Sequence, residues 1–575
     1  MNARNQLEEG CNRLASTLLT DNLPLLAGAT NGIKKLRELI LELAVRGKLV
    51  PQDPSDEPAS ELLKRIAEAK AQDTSGRKKS SEQGPSVSGE ISKFDLPSGW
   101  RWVRFGDIAQ HNSGKTLDKG RNTGVARDYI TTSNLYWGRF ELANVRQMLM
   151  EESDLARCTA TRNDLLICEG GEAGRAAVWD QEREICFQNH VHRARFYGGV
   201  HPYYAQRYFE KLNYSGEISG YRKGVGISNM SSKSLASITM PLPPTAEQHR
   251  IVAKVDELMA LCDRLEAQQA DAESAHAKLV QALLDSLTQA CASPDFAASW
   301  QRLAEHFHAL FTTEASIDAL KQTLLQLAVM GKLEPQDSRD EPASDLLEVI
   351  VNEIALLHSE GKIRKPKPID PISTEEEAFE TPKGWKWVRL SQITRQLGDG
   401  LHGTPIYSQD GEYYFVNGNN LTGGKIVIKP ETKTVSESEH SKHKKPLDEQ
   451  SILVSINGTI GNIAFYNSEK IILGKSACYF NLASGVSKHF VRLLIEAPGF
   501  MKYALKSATG TTIKNLGLKA MNDYPIALPP LAEQHRIVAK VDQFMALCDQ
   551  LKTRLTLARQ LNEQLASTLV KQAVE

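Results

Sequence analysis

Apolar residues fall at alternating spacings of three and four along two stretches of the chain. The first runs through Val255, Leu258, Cys262 and Leu265 and continues through Gln269, Ala272, His276, Leu279 and Leu283. The second runs through Val541, Phe544, Cys548 and Leu551 and continues through Leu555, Ala558, Asn562, Leu565 and Leu569. This is the heptad pattern of a long amphipathic helix with a coiled-coil seam of about four repeats. Each stretch follows a Pro-Pro pair and carries a glutamate in its first turn, Glu247 or Glu533, as a capped helix does. His276 and Asn562 hold equivalent polar places on the seams, where they either fix register or mark a solvated break. A helix of about 40 residues is roughly 60 Å long, enough to hold two domains apart.

The helix openings are nearly one sequence written twice: residues 242–265 and 528–551 agree at 20 of 24 positions, at an offset of 286. Upstream, 36–66 and 320–350 agree at 19 of 31. There the helical periodicity stops at Gly47, a proline-rich turn follows, and Ser60 is placed to cap the next helix. A third pair, LPSGWRWVRFGDI (96–108) and TPKGWKWVRLSQI (381–393), reads as a turn and a short strand. Residues 71–95 have the polar, Gly/Ser-bearing composition of a linker, and 361–383 take its place in the second copy. Inside the two blocks that follow, identity nearly vanishes while the outline of strands and polar loops persists. YITTSNLYWGRFEL parallels YFVNGNNLTGGKIVI, and DLLICEGGEAGRAAVW parallels SILVSINGTIGNIAFY. Leu14–Leu18 also repeats as Leu565–Leu569, either because the N-terminal helix packs beside the C-terminal one in a closed ring or by coincidence.

A chain of 575 residues exceeds a single core and implies about three to five domains. No apolar run is long enough to span a bilayer, the N-terminus lacks the apolar core of a signal peptide, and the eight cysteines form no CxxC pair, so a reduced, cytoplasmic protein is expected. The net charge of -1 hides segregation. Residues 100–240 carry 19 Lys/Arg against 15 Asp/Glu and residues 385–527 carry 17 against 11, which leaves -11 on the rest. Two basic blocks alternating with acidic helical ones fit a protein whose blocks alone meet phosphate.

Catalytic and metal chemistry is hard to find. Gly114-Lys115-Thr116 and Gly474-Lys475-Ser476 lack the upstream glycine of a phosphate loop, and the glycine turn at 170–174 lacks the helix that would aim amides at a pyrophosphate. His190 and His192 alternate onto one face of a strand-like run without a third ligand at usual spacing, so a DNA-facing or packing role is preferred to a metal site. What recurs is DNA-reading chemistry: Asn, Ser, Thr, Arg and Lys in loops, able to pair with base edges and neutralise phosphates. The first block offers Thr132, Ser133, Asn134, Arg139, Arg175, Arg193, Lys223 and Asn229. The second offers Asn417, Asn419, Asn420, Lys425, Asn457, Thr459, Lys475, Lys514 and Asn515.

The duplicated PLPP-x-AEQ-xx-I motif after a strand-rich block, with the paired GW-x-WV openings, resembles the specificity subunit of type I restriction-modification enzymes over essentially the whole chain. The AVxGKLxPQD…EPAS repeats resemble the enterobacterial type. The resemblance implies an α+β chain of two mixed α/β target recognition domains, joined by two long conserved helices that form an antiparallel coiled coil with a pseudo-twofold internal repeat. The boundaries expected are 1–95 for the N-terminal helices and linker, 96–244 for the first recognition domain, 245–381 for the central helices, 382–530 for the second recognition domain and 531–575 for the last helix. It implies a non-enzymatic chain, without a cofactor or metal of its own, that reads a bipartite double-stranded DNA site. Two methyltransferase subunits and the restriction/motor subunits would be its partners and would carry S-adenosylmethionine, ATP and magnesium. The shared AEQHRI segment, with Glu247, Gln248, Arg250, Glu533, Gln534 and Arg536, is the expected docking surface for the methyltransferase. Two other readings remain: a stand-alone DNA methyltransferase or nuclease, and a coiled-coil scaffold for protein partners.

Overall fold

The structure, a computed structural model, describes residues 28–29, 31–73, 94–118, 120–224, 228–289, 293–365 and 368–574. Most of the expected linker, the Leu14–Leu18 match and the tip of the loop at 225–227 lie outside them. The chain divides into two compact units, residues 1–272 with 558–575, and residues 273–557. No described helix is long and apolar enough to cross a membrane.

In the first unit, helices α1 (Gly32–Val45) and α2 (Ala59–Asp73) precede the strand-rich block, α3 (Pro202–Tyr214) lies within it, and α4 (Thr245–Gln289) leaves it. Helix α2 starts one residue before Ser60, so that serine is inside the helix and does not cap it. The block is built on a four-stranded antiparallel sheet ordered Ala176–Val178, Leu165–Cys168, Val191–Phe196, Ala109–Ser113. All four residues of Leu165–Cys168 are buried because both faces of the sheet are covered. Leu165 and Ile167 face a core shared with α1, α2, α3 and the start of α4. Leu166 and Cys168 join a second core with Ile130, Ile185 and Phe187. Those three residues belong to a mixed sheet ordered Arg146–Met150, Val125–Ile130, Ile185–Phe187, Thr159–Ala160, in which only Val125–Ile130 and Ile185–Phe187 run parallel. Arg101–Arg104 pairs with Thr239–Leu242, so the first and last strands of the block meet.

In the second unit, α5 (Glu314–Val329) and α6 (Ala343–Ser359) precede the block, α7 (Lys488–Glu496) lies within it, and α8 (Leu531–Val574) leaves it. Its antiparallel sheet is ordered Thr394–Asp399, Ala477–Leu482, Ser451–Ser455, Ile463–Phe465. Its mixed sheet again has one parallel pair, Tyr413–Val416 with Ile471–Leu473, and Lys386–Arg389 pairs with Pro525–Leu528.

Helices α1 and α5 end alike. Gly47 and Gly331 adopt φ +69° and +70°, and the amides of Lys48 and Lys332 reach back to the carbonyls of Leu43 and Leu327 at 2.9 and 3.0 Å. This is the left-handed glycine stop, and here a side chain has no room either: a Cβ would lie 2.5 Å from Pro97 Cγ at Gly47 and 2.6 Å from Pro382 Cγ at Gly331.

The long helices depart from the expected continuous seam. On α4, Val255 and Cys262 are buried, every residue from 266 to 275 is exposed, and burial resumes at Val280, Leu284 and Leu287. On α8, Val541 and Cys548 are buried, 556–562 are exposed, and burial resumes at Ala566 and Ala573. Gln269, Ala272, Ala558 and Asn562 are therefore solvated, and Leu279 and Leu565 are 54% and 52% exposed beside their buried neighbours Val280 and Ala566. A straight helix drifts about 20° per heptad against a 3.5-residue repeat, so one stripe cannot keep one side over four heptads. His276 sends Nε2 to the Ala309 carbonyl at 3.1 Å and does not lie in a buried seam.

Candidate nucleic-acid interface

In each unit the turns beyond the sheet ends are tied together by backbone pairing. In the first, Lys115 bridges to Gln188, Gly170–Gly171 pair with Ser228–Asn229, and Lys223 bridges to Asn229. Arg175 joins this set to the loop after Ile130 by donating from Nη2 to the Thr132 carbonyl at 2.5 Å. In the second, Leu401 bridges to Gly474 and Asn457 to Asn515. Ser476 Oγ links the Asn417 side chain at 3.0 Å with the Gly418 amide at 2.8 Å. Each cluster thus gathers loops far apart in sequence into one polar surface.

The candidate residues divide sharply on these surfaces. Ser133, Arg139, Lys223 and Asn229 are exposed in the first unit, as are Asn419, Lys425, Thr459, Lys475, Lys514 and Asn515 in the second. Thr132, Arg175, Asn417 and Asn457 are half-buried at the cluster edges. Asn457, Thr459, Lys514 and Asn515 are brought together, since the Gly458 amide also donates to the Lys514 carbonyl at 3.0 Å.

Three candidates are corrected. Asn134 is buried and its amide is spent within its own loop: Oδ1 accepts from the Thr131 amide at 3.1 Å, and Nδ2 donates to the Glu141 carbonyl at 3.1 Å. Asn420 does the same with the Asn417 amide and the Val427 carbonyl, both at 3.0 Å. Arg193 is buried and donates to the carbonyl of Thr159 at 2.6 Å. The Asn134 and Asn420 amides are satisfied inside the fold and have nothing left to read a base, and Arg193, whose Nε is buried without a hydrogen-bond partner, is enclosed and cannot reach one. The histidines do not share a strand face either. His190 is exposed in the turn before the strand, whereas His192 is buried with Nε2 on the Met230 carbonyl at 3.0 Å, and burial pushes its pKa down. No group of three or more metal-ligating side chains occurs among the described residues.

Sequence reasoning missed Tyr136. It stands exposed on the short hairpin Leu135–Tyr136/Arg139–Phe140, with the Arg139 and Arg175 guanidinium groups 4.9 and 5.2 Å from its ring. The signal was present in the sequence, since Tyr136 lies three residues before Arg139 in the polar stretch 129–142. In the second unit the matching hairpin is Leu421–Thr422/Lys425–Ile426, where the exposed Thr422 pairs with the exposed Lys425.

The glutamate, glutamine and arginine side chains of AEQHRI are used internally. Glu247 is buried; its Oε2 accepts from Trp100 Nε1 at 2.9 Å and its Oε1 from Gln52 Nε2 at 2.5 Å. Glu533 accepts from Trp385 at 2.9 Å and Gln336 at 3.1 Å. Gln248 Oε1 accepts from the His201 amide at the start of α3, and its Nε2 donates to the Pro243 carbonyl; Gln534 makes the same bonds with Ser487 and Pro529. Arg250 pairs with Asp56 and Arg536 with Asp340, each with contacts of 3.1–3.2 and 2.6 Å. Burial pushes the Glu247 carboxyl up to about 7 against the pull of its hydrogen-bond donors, and pushes Glu533 in the same direction. The expectation that these glutamates and glutamines face a partner is corrected: fully enclosed side chains offer it nothing.

The family model for the type I restriction modification DNA specificity domain matches residues 97–273 and again 382–559. The chain belongs to that family. Two curated relatives from Escherichia coli support this: the type I restriction enzyme EcoAI specificity subunit is 36% identical over 561 residues, and the EcoEI specificity subunit is 34% identical over 572. Both alignments cover 94% of this chain and 94% of the relative. Among solved structures, the HsdS subunit from Thermoanaerobacter tengcongensis is similar at 17% identity with a TM-score of 0.42, covering 84% of this chain and 98% of that one. This chain is thus the DNA specificity subunit of a type I restriction-modification complex, a non-catalytic component.

Proposed function

We propose that residues 96–244 and 382–530 are target recognition domains, each reading one half of a bipartite double-stranded DNA site through its loop cluster. The two long helices hold the halves at a set spacing as an antiparallel, pseudo-twofold pair. The single observation that carries this reading is the duplication itself: two blocks on one repeated scaffold present the same set of loops with different residues on them. A common scaffold with unlike surfaces gives two unlike half-sites, whose separation follows the distance between modules.

Two methyltransferase subunits dock on the shared helices and supply S-adenosylmethionine, and restriction/motor subunits supply ATP and magnesium chemistry. An adenine must leave the base stack to be methylated, so the specificity subunit supplies position and register while its partner flips the base.

Exchanging residues 100–240 for the corresponding block of a relative with another target tests the reading. Methylome sequencing of a host carrying the hybrid complex is expected to show one half of the target changed and the other kept. An unchanged target would refute it.

A further inference from the structure

The three stretches that repeat along the chain meet at one point in each unit. The turn after the first helix brings Gln52, the GW turn brings Trp100, and the long helix brings Glu247. In the second unit Gln336, Trp385 and Glu533 meet in the same way. The indole-to-carboxylate distance is 2.9 Å in both. Behind each indole stands one ring of the block helix, Tyr204 or Phe490, with centroids 6.5 Å apart and planes at 85° or 84°. Sequence identity is therefore concentrated where the strand-rich block is fastened to its long helix.

From this we infer that the buried glutamate of each long helix is a positioning residue, which fixes the angle at which its recognition domain stands on the helix and so the spacer accepted between the two half-sites. The inference rests on the bipartite reading proposed above. The geometry suits the task. One carboxylate accepts bonds from two separate segments, the adjacent glutamine grips the start of the block helix, and the arginine beyond it pairs with the turn. Tilting the block on the helix would stretch all of these together, and hydrogen bonds weaken steeply with distance and misalignment. A fastening made only of apolar contact would slide more freely, because such contact is non-directional.

The experiment uses the chain assembled with its methyltransferase subunits. Methylation rates are measured on duplexes with the native spacer and with spacers one base pair shorter or longer. Trp100→Phe keeps an aromatic ring and removes the donor; Glu247→Ala removes the acceptor; Glu247→Gln retains an acceptor for the indole. In the first two, preference for the native spacer is expected to fall about tenfold, the scale of one buried hydrogen bond. Both half-sites keep their bases, and Glu247→Gln stays within about twofold of the parent. Should Glu247→Ala fail to fold, Trp100→Phe carries the test. Uniformly slower methylation with an unchanged spacer preference overturns the inference and leaves the bipartite reading standing. A continuous target in the unaltered complex overturns both.

Discussion

Asn134 and Asn420 close the same turn with the same bonds in two blocks that share almost no sequence. Each side-chain oxygen caps the amide three residues back, and each NH2 reaches the carbonyl seven residues ahead. Asparagine suits the place because its short amide offers an acceptor and two donors at once. The neighbouring Ser133 and Asn419 are exposed on the same turns, with Ser133 Oγ 2.7 Å from Thr131 Oγ1. Composition could not separate the two roles, since a loop asparagine that reads DNA and one that shapes the loop are the same letter. Mutation separates them. Replacing Asn134 or Asn420 by alanine leaves buried backbone groups unpaired and is expected to cost about 1–3 kcal/mol in denaturant unfolding. Ser133→Ala and Asn419→Ala should leave stability within about 0.5 kcal/mol and weaken DNA binding by the complex.

At the scale of elements, the sequence disclosed more than the side chains did. The paired strands, the glycine stop at Gly47 and the starts of both long helices were legible, because each has a local cause in periodicity or turn chemistry. Two things were not. Heptad spacing marks an amphipathic helix without saying what covers it, and helical drift moves burial from Leu279 to Val280 and from Leu565 to Ala566. Near-identity of the AEQHRI segments marks a constraint, but not whether the contact met is inside or outside the chain. Here Glu247 and Glu533 meet their own tryptophans, and that gives the start of each long helix a pH signature. A carboxyl raised from its ordinary 4.5 to about 7 by burial is favoured in the folded state when protonated. Its contribution is fully present below about 4.5 and is lost as pH rises through about 7. The melting temperature of the unaltered chain, measured relative to Glu247→Gln, is therefore expected to rise as pH falls from 8 toward about 5. The Glu247→Gln/Glu533→Gln pair should enlarge that difference, because Glu533 is shifted in the same direction.

Across the whole molecule, charge follows the division of labour. The two strand-rich blocks carry the excess of Lys and Arg, and the remaining residues hold a net -11 although the chain totals only -1. An acidic remainder repels DNA and the net-positive blocks attract it, which favours the productive orientation before any base is read. Phosphate contacts release counterions, so affinity should fall linearly on a log-log plot against salt. A complex making about six such contacts loses roughly a thousandfold between about 50 and 200 mM. Lys475 and Lys514 are exposed on the second cluster, and each alanine substitution there should reduce the slope by about one while leaving the order of preference among DNA sequences unchanged. Titrating the assembled complex with duplex DNA at several salt concentrations measures both quantities. A slope untouched by both substitutions would place the phosphate backbone away from this loop cluster, and with it the proposed reading surface of the second unit.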